Sequence, residues 1–265
     1  MSPVIMAALS KLTGLELEYS LLDVKPTELS SALKKLCADP QIVGFNFTLP
    51  HKQKAAHLSQ RTSPDVPIIG SANMWARVPE GFCAYNTDGP GFMDALEHNG
   101  ISMKNREVVI LGAGGAARGV AYACAQGGAR RIFIWNRSEE RAAKLCEIAP
   151  DTLTTLTVPS ELEAPTPAPR IIINATSLGL RESDEALLSE FAKPLFPFLT
   201  DAIATDLVYS STKPSTPFLR LAERKQLQTV ETALQMLALQ AARAFNHWQG
   251  SELTPQQTLS ALTPI

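Results

Sequence analysis

The stretch Glu107-Val108-Val109-Ile110-Leu111-Gly112-Ala113-Gly114-Gly115-Ala116-Ala117 decides the fold, together with the small residues that follow to Gln126 and the run Arg131-Ile132-Phe133-Ile134-Trp135. An apolar run without alternation predicts a strand buried on both faces. Here such a run ends in a glycine turn, passes into a small-residue helix and meets a second apolar strand. That order is the strand-turn-helix-strand unit of a nucleotide-binding parallel sheet. Gly112, Gly114 and Gly115 follow a GxGGxA pattern, with Ala113 and Ala116 between and after them. Such a turn brings backbone N–H groups and a helix N-terminus to a pyrophosphate. A bend serving only helix–sheet packing is the other use of the same glycines.

The end of the second strand discriminates between dinucleotides. An NAD site places an acidic residue there against the adenosine ribose. This sequence has Asn136, Arg137 and Ser138, with Arg141 one helical turn on. Guanidinium groups beside a hydroxyl suit a 2'-phosphate through charge-assisted bonds, so the pattern favours NADP. Glu139 and Glu140 open the next helix, where acidic residues complement the N-terminal dipole.

Outward from this unit, the chain keeps the same alternation of strand and helix. Expected strands cover 16–24, 41–48, 68–78, 82–85, 171–174 and 203–208, and a turn falls at Pro79-Glu80-Gly81. Helices are expected from Pro26-Thr27 with Leu29, Leu33 and Leu36 on one stripe, over 51–60, 88–98 and 138–146, and over 232–248. The last carries Leu234, Leu237, Ala238, Ala241, Phe245 and Trp248 at helical spacing. A short helix from near Pro255 to Leu262 closes the reading. A connector containing Pro159, Pro165, Pro167 and Pro169 precedes the strand at 171. The fold class is α/β with two domains. A substrate domain covers 1–89 and 232–265, and a dinucleotide-binding domain covers 90–231.

Composition agrees with a globular chain: 265 residues, 45% hydrophobic and 19% charged, with 24 basic against 26 acidic side chains. That balance offers no general nucleic-acid surface. The longest apolar runs fall far short of a membrane span, and no leader pattern opens the chain, so a cytoplasmic location is expected. Cys37, Cys83, Cys124 and Cys146 are widely spaced, and with His51, His57, His98 and His247 they form no zinc-like pattern; no metal is expected.

Two further segments carry chemistry. Asn174-Ala175-Thr176-Ser177-Leu178-Gly179 follows a very apolar strand, where short polar residues either sit by the cofactor crevice or simply cap a turn. Asn46-Phe47-Thr48-Leu49-Pro50-His51-Lys52 and Asn86-Thr87-Asp88-Gly89 each hold a group able to move or orient a proton. Hydride transfer to or from a secondary alcohol carbon requires a proton to leave or reach its oxygen. Lys52 can do either. From the residues alone, an exposed Lys52 and an Asp88 helix cap are the favoured reading over a pairing of the two.

At these residues the chain resembles the shikimate dehydrogenase family. The resemblance implies a split α/β substrate domain and a Rossmann-type NADP domain. It also implies reversible reduction of 3-dehydroshikimate to shikimate on the chorismate route to aromatic amino acids. The segment from Asn46 to Lys52 is similar to the family's Asn-Val-Thr-x-Pro-x-Lys, which makes Lys52 the catalytic lysine and Thr48 a substrate contact. Asn86 to Phe92 is similar to Asn-Thr-Asp-x-x-Gly-Phe, with Asp88 as the partner of Lys52. Asn73 stands at the family's second substrate asparagine. Gly112 to Ala117 resembles the cofactor loop, Asn136-Arg137-Ser138 the NADP-selecting segment, and Asn174 to Gly179 the Asn-Ala-Thr-Ser-x-Gly turn, which assigns Asn174, Thr176 and Ser177 to the cofactor. Asp206-Leu207-Val208-Tyr209 resembles Asp-x-Val-Tyr, whose tyrosine meets substrate. Met236 to Gln240 resembles the last helix, with Met236 at the cofactor and Gln240 on a substrate hydroxyl. That helix is expected to return to the N-terminal domain and bring Gln240 to Lys52 and Asp88.

The chain departs from the family pattern twice. Family members carry two serines for the substrate carboxylate after an opening strand; this sequence has Ser2, but the strand and other serine have no counterpart, and Met6-Ala7 stands for His-Asn. Either the start lies upstream or part of the carboxylate site is absent. Second, Glu231 to Gln235 replaces a glycine-containing stretch near the nicotinamide. Quinate, aminoshikimate or another hydroxylated cyclic acid is therefore an alternative substrate, and a cofactor-binding protein without turnover is a third reading. A monomer or homodimer is expected.

Overall fold

The structure, a computed structural model, describes residues 1–164, 166, 168–209 and 215–262, so Pro165 and Pro167 of the expected connector lie outside it. The chain divides into two compact units, Met1–Asp94 with Gln235–Ile265, and Ala95–Leu234.

In order, the elements are α1 (Ser2–Thr13), α2 (Leu29–Cys37), β1 (Gly44–Asn46), α3 (Lys52–Leu58), β2 (Arg61–Thr62), α4 (Val66–Ile69), β3 (Met74–Val78), β4 (Gly81–Tyr85) and α5 (Asp88–His98). There follow β5 (Glu107–Leu111), α6 (Gly115–Gln126), β6 (Arg131–Trp135), α7 (Glu139–Cys146), β7 (Leu153–Thr155), β8 (Ile171–Asn174), α8 (Glu185–Ala192), β9 (Ile203–Asp206), α9 (Pro217–Arg224), β10 (Gln228–Val230), α10 (Ala233–Gln249) and α11 (Pro255–Leu262).

The first unit is built on a sheet of order β1-β3-β4-β2, in which β3 pairs antiparallel with both β1 and β4. Successive residues of a strand face opposite sides, and this sheet uses both. Met74 and Ala76 join Ile5, Met6 and Leu9 of α1 and Ala241, Ala242 and Phe245 of α10 in one core. Trp75, Phe82 and Ala84 face the other way, toward Leu29 and Leu33 of α2, Ala55 of α3 and Val66 of α4.

The second unit is a six-stranded sheet of order β10-β9-β8-β5-β6-β7, parallel throughout. Every residue of β5, β8 and β9 is buried, as the unbroken apolar runs predict. On one face Val109, Leu111, Phe133, Ile172 and Ala204 pack with Leu188 and Ala192 of α8 and Phe218 and Ala222 of α9. The strand order reverses between β5 and β8, so the turns leaving these two neighbours diverge and open a crevice at their carboxyl ends.

Several expectations are corrected. Residues 16–24 form no strand, because among the described residues this segment finds no ladder partner; Leu21 and Leu22 stay 75% and 65% exposed. The extended piece expected over 68–78 begins instead with α4, which has Pro67 in its first turn and ends at Gly70 in the left-handed region, φ 65°. β9 stops at Asp206, two residues before the expected end. On α10 the buried set is Met236, Ala238, Leu239, Ala241, Ala242, Ala244 and Phe245, while Leu234, in the first turn, is exposed. The elements α1, β2, α8, α9, β7 and β10 are additions to the sequence reading. For α9 a start signal exists, since the Thr216 hydroxyl accepts from the Leu219 amide and Pro217 follows it. Among the described residues no helix is long and apolar enough to cross a membrane.

Candidate active site

In the first unit, four segments converge: the start of α3 after β1, the residue before β3, the start of α5 after β4, and α10. α3 opens with Lys52 and α5 with Asp88, and Lys52 Nζ lies 2.6 Å from Asp88 Oδ2. Both side chains are largely buried, at 15% and 5% exposure. A pair withdrawn from water to this extent holds its geometry only if the remaining lone pairs are satisfied. Asn73 does so. Its amide donates to Asp88 Oδ1 at 3.0 Å, to Thr87 Oγ1 at 2.9 Å and to Gln240 Oε1 at 3.1 Å, while its Oδ1 accepts the Thr87 amide at 2.7 Å. Asn86 fixes the same corner by donating to the Ser71 carbonyl at 2.9 Å. Asn73, Asn86, Thr87 and Asp88 are all buried polar residues, and each has a hydrogen-bond partner.

α10 contributes Gln240, whose Nε2 donates to the Leu237 carbonyl at 2.8 Å. Thr48 is exposed, in a turn closed by the His51 amide on the Thr48 carbonyl, immediately before Lys52. Ser2 begins α1 close to the Tyr19 hydroxyl, and Tyr19 donates to Asn46 Oδ1 at 3.1 Å. Asn46 then reaches the Asn73 carbonyl at 3.4 Å. Burial raises the Tyr19 pKa, and the nearby Ser2 side chain opposes that shift. A line of polar groups thus runs from Ser2 to the Lys52–Asp88 pair. Tyr19, Asn46 and Thr87 are the members that sequence reasoning missed. Two of them lie inside the quoted motifs; Tyr19 has only its place in a segment read as strand.

In the second unit, Gly112 leaves β5 with φ 104°, and a Cβ there would lie 3.1 Å from the Ala175 carbonyl and from Thr176 Cγ2. That close approach is what its absent side chain permits. A Cβ on Gly114 would meet nothing within 4 Å. No side chain caps α6 and no acid occupies its first turn, so its first amides are left for an external acceptor. These features fit a dinucleotide pyrophosphate. At the end of β6, Arg137 and Arg141 are exposed, Asn136 Nδ2 donates to the Ser138 carbonyl at 2.9 Å, and the Ser138 hydroxyl caps α7 by accepting from the Arg141 amide. Residues 136–138, which leave the strand, include no carboxylate.

The turn after β8 is organised from within. Asn174 Oδ1 accepts the Thr176 hydroxyl at 2.7 Å and its amide at 3.2 Å, and the Leu178 amide donates to Thr176 Oγ1 at 3.0 Å. The turn-capping reading of Asn174 therefore describes its side chain, while Ser177 is exposed at the tip. Asn174 Nδ2 also donates to Asp206 Oδ1 at 2.9 Å. Asp206 further accepts from the Val208 amide at 2.9 Å and the Thr216 hydroxyl at 2.6 Å. Burial pushes its carboxyl up to about 7 against these bonds. Tyr209 is exposed just beyond. Met236 is buried at the start of α10, in the first unit.

A Rossmann-type dinucleotide unit joined to a unit carrying a buried lysine–aspartate pair defines an NADP-dependent oxidoreductase. The shikimate dehydrogenase substrate binding domain matches residues 1–74, and the shikimate / quinate 5-dehydrogenase domain matches 95–194. Shikimate dehydrogenase (NADP(+)) of Thermus thermophilus is 38% identical over 252 residues, 94% of this chain and 88% of its own length. That of Caldicellulosiruptor saccharolyticus is 35% identical over 253 residues, 93% and 87%. Among solved structures, shikimate 5-dehydrogenase from Thermus thermophilus in complex with NADP(H) and shikimate superposes with a TM-score of 0.80 at 35% identity, covering 98% of this chain and 92% of that one. This chain belongs to the shikimate dehydrogenase family.

Proposed function

We propose that the chain interconverts 3-dehydroshikimate and shikimate with NADP(H), in the cytoplasm, as a monomer or homodimer. The observation that carries the reading is the buried Lys52–Asp88 pair, 2.6 Å apart and ringed by Asn73, Thr87 and Gln240. The bound nicotinamide supplies or accepts the hydride. Lys52 delivers a proton to the substrate oxygen during reduction and takes it during oxidation, while Asp88 orients the ammonium and Asn73 holds Asp88 in place. Asn73, Gln240, Thr48 and Tyr209 offer groups to ring hydroxyls. The substrate carboxylate is assigned to Ser2, with the nearby Tyr19 hydroxyl as a second group.

Cofactor contacts are assigned to Gly112, Ala113, Gly114, Gly115 and Ala116 for the pyrophosphate, and to Asn136, Arg137, Ser138 and Arg141 for the 2'-phosphate. The nicotinamide half is assigned to Asn174, Thr176, Ser177 and Met236, the first two through the turn they build. Purified protein tested on shikimate, quinate and aminoshikimate, with NADP and NAD separately, decides substrate and cofactor. In the same assay Lys52→Ala lowers kcat by roughly 10² to 10⁴ while leaving NADPH affinity unchanged. A wild-type kcat in that variant, with chemistry demonstrated to be rate-limiting, removes Lys52 from proton transfer.

A further inference from the structure

Gln240 meets the Asn73–Asp88 cluster at the end of a helix contact that has its own machinery. A Cβ on Gly91 of α5 would lie 2.8 Å from the Gln240 amide nitrogen and 2.9 Å from its Cβ, so the two helices touch at van der Waals distance only because residue 91 has no side chain. Three residues further along each helix, on the same faces, stand Asp94 and Arg243. Arg243 Nε donates to Asp94 Oδ2 and Nη2 to Asp94 Oδ1, both at 2.9 Å, a two-pronged pair of the geometry that only arginine gives. Asp94 is 16% exposed and Arg243 43%, so the pair sits at the margin of the core, partly protected from water.

The two levels act together. Gly91 sets how near α10 comes, and the ion pair sets its rotation and its slide along α5. Gln240 lies at the first level and projects its Oε1 to Asn73 Nδ2 at 3.1 Å and to the Thr87 hydroxyl at 3.4 Å. A shift of a few tenths of an ångström at Gly91 or loss of the pair at Asp94 moves the carboxamide by an amount comparable with the slack in those bonds.

We propose that Gly91, Asp94 and Arg243 are positioning residues, which hold α10 against α5 at the spacing that keeps the Gln240 carboxamide on the Asn73–Asp88 cluster. The effect on substrate rests on the assignment of Gln240 to a ring hydroxyl; the positioning itself does not.

Two measurements on the full-length protein separate these. The side-chain amide resonances of Asn73 and Gln240, recorded by NMR in Gly91→Ala and Arg243→Ala, report the Gln240 bond directly. Both variants shift them, whereas Arg61→Ala, which removes only an exposed ion pair 3.9 Å long to Glu80, leaves them in place. Steady-state kinetics with shikimate then gives KM raised about tenfold in both variants, with NADPH affinity unchanged. The exchanged pair Asp94→Arg/Arg243→Asp brings KM back toward wild type. Unmoved amide resonances in both single variants, whatever happens to melting temperature, overturn the proposal and leave the pair merely structural. Moved resonances with unchanged KM uphold the positioning and instead refute the contact of Gln240 with substrate.

Discussion

Asp206→Asn offers the sharpest test of the second unit. Asp206 is 1% exposed, and burial carries its carboxyl from 3.8 in the unfolded chain to about 7 in the folded one, despite bonds from Thr216, Val208 and Asn174. Between those values the folded state keeps a proton that the unfolded state has released. Stability is therefore highest at the acid end of the interval and is lost as pH rises to the folded value; above it the contribution is constant. At about 1.4 kcal/mol per pH unit, the wild-type unit loses about 2–3 kcal/mol from this group alone between pH 5 and 7. Asparagine cannot ionise, so the variant lacks that slope. Its Oδ1 keeps the Asn174 and Val208 donors while its Nδ2 faces the Thr216 hydroxyl, which must turn from donor to acceptor, a cost that does not depend on pH. The assay is native-state hydrogen exchange at the β8 and β9 amides, corrected for intrinsic rates, since these strands report opening of their own unit. The difference between the two proteins should narrow, or reverse in favour of the variant, as pH rises from 5 to 7. Parallel profiles refute the argument, because a constant offset is only the lost hydrogen bonding.

Arg137→Ala weakens NADP by about 1–3 kcal/mol and NAD much less, measured by calorimetry; equal losses for both cofactors defeat the 2'-phosphate role. Tyr19→Phe raises KM for shikimate about tenfold with little change in kcat, and an unchanged KM takes the hydroxyl out of carboxylate binding. Gly44→Ala costs about 3 kcal/mol, because the new Cβ overlaps Trp248 Nε1 and the Trp75 carbonyl that it bonds; unaltered exchange protection along β3 contradicts this.

The segments legible in the sequence are those whose local pattern and tertiary setting agree. β5, its glycine turn, α6 and β6 read directly, because a strand covered on both faces needs an unbroken apolar run. Residues 16–24 have strand-like composition, yet a strand exists only when a ladder partner takes its amides, and that is a nonlocal fact. The missed β7 and β10 are three residues each, too short for a period to register. The site follows the same division. The glycine turn and the basic strand end are local. Lys52 and Asp88 are 36 residues apart, and only the family resemblance suggests pairing them. Asp94 and Arg243, separated by 149 residues, leave no local trace at all.

The first unit is made from two stretches of chain, Met1–Asp94 and Gln235–Ile265, while the second is continuous. The second unit therefore has all its elements on one stretch of chain, whereas the core of the first cannot close before α10 is present. Until α10 arrives, Met6, Leu9, Met74 and Ala76 lack the cover of Ala241, Ala242 and Phe245, and Asn73 lacks its third acceptor. The reaction centre thus depends on joining two stretches far apart in the chain, while the coenzyme-binding fold needs no segment from outside its own stretch.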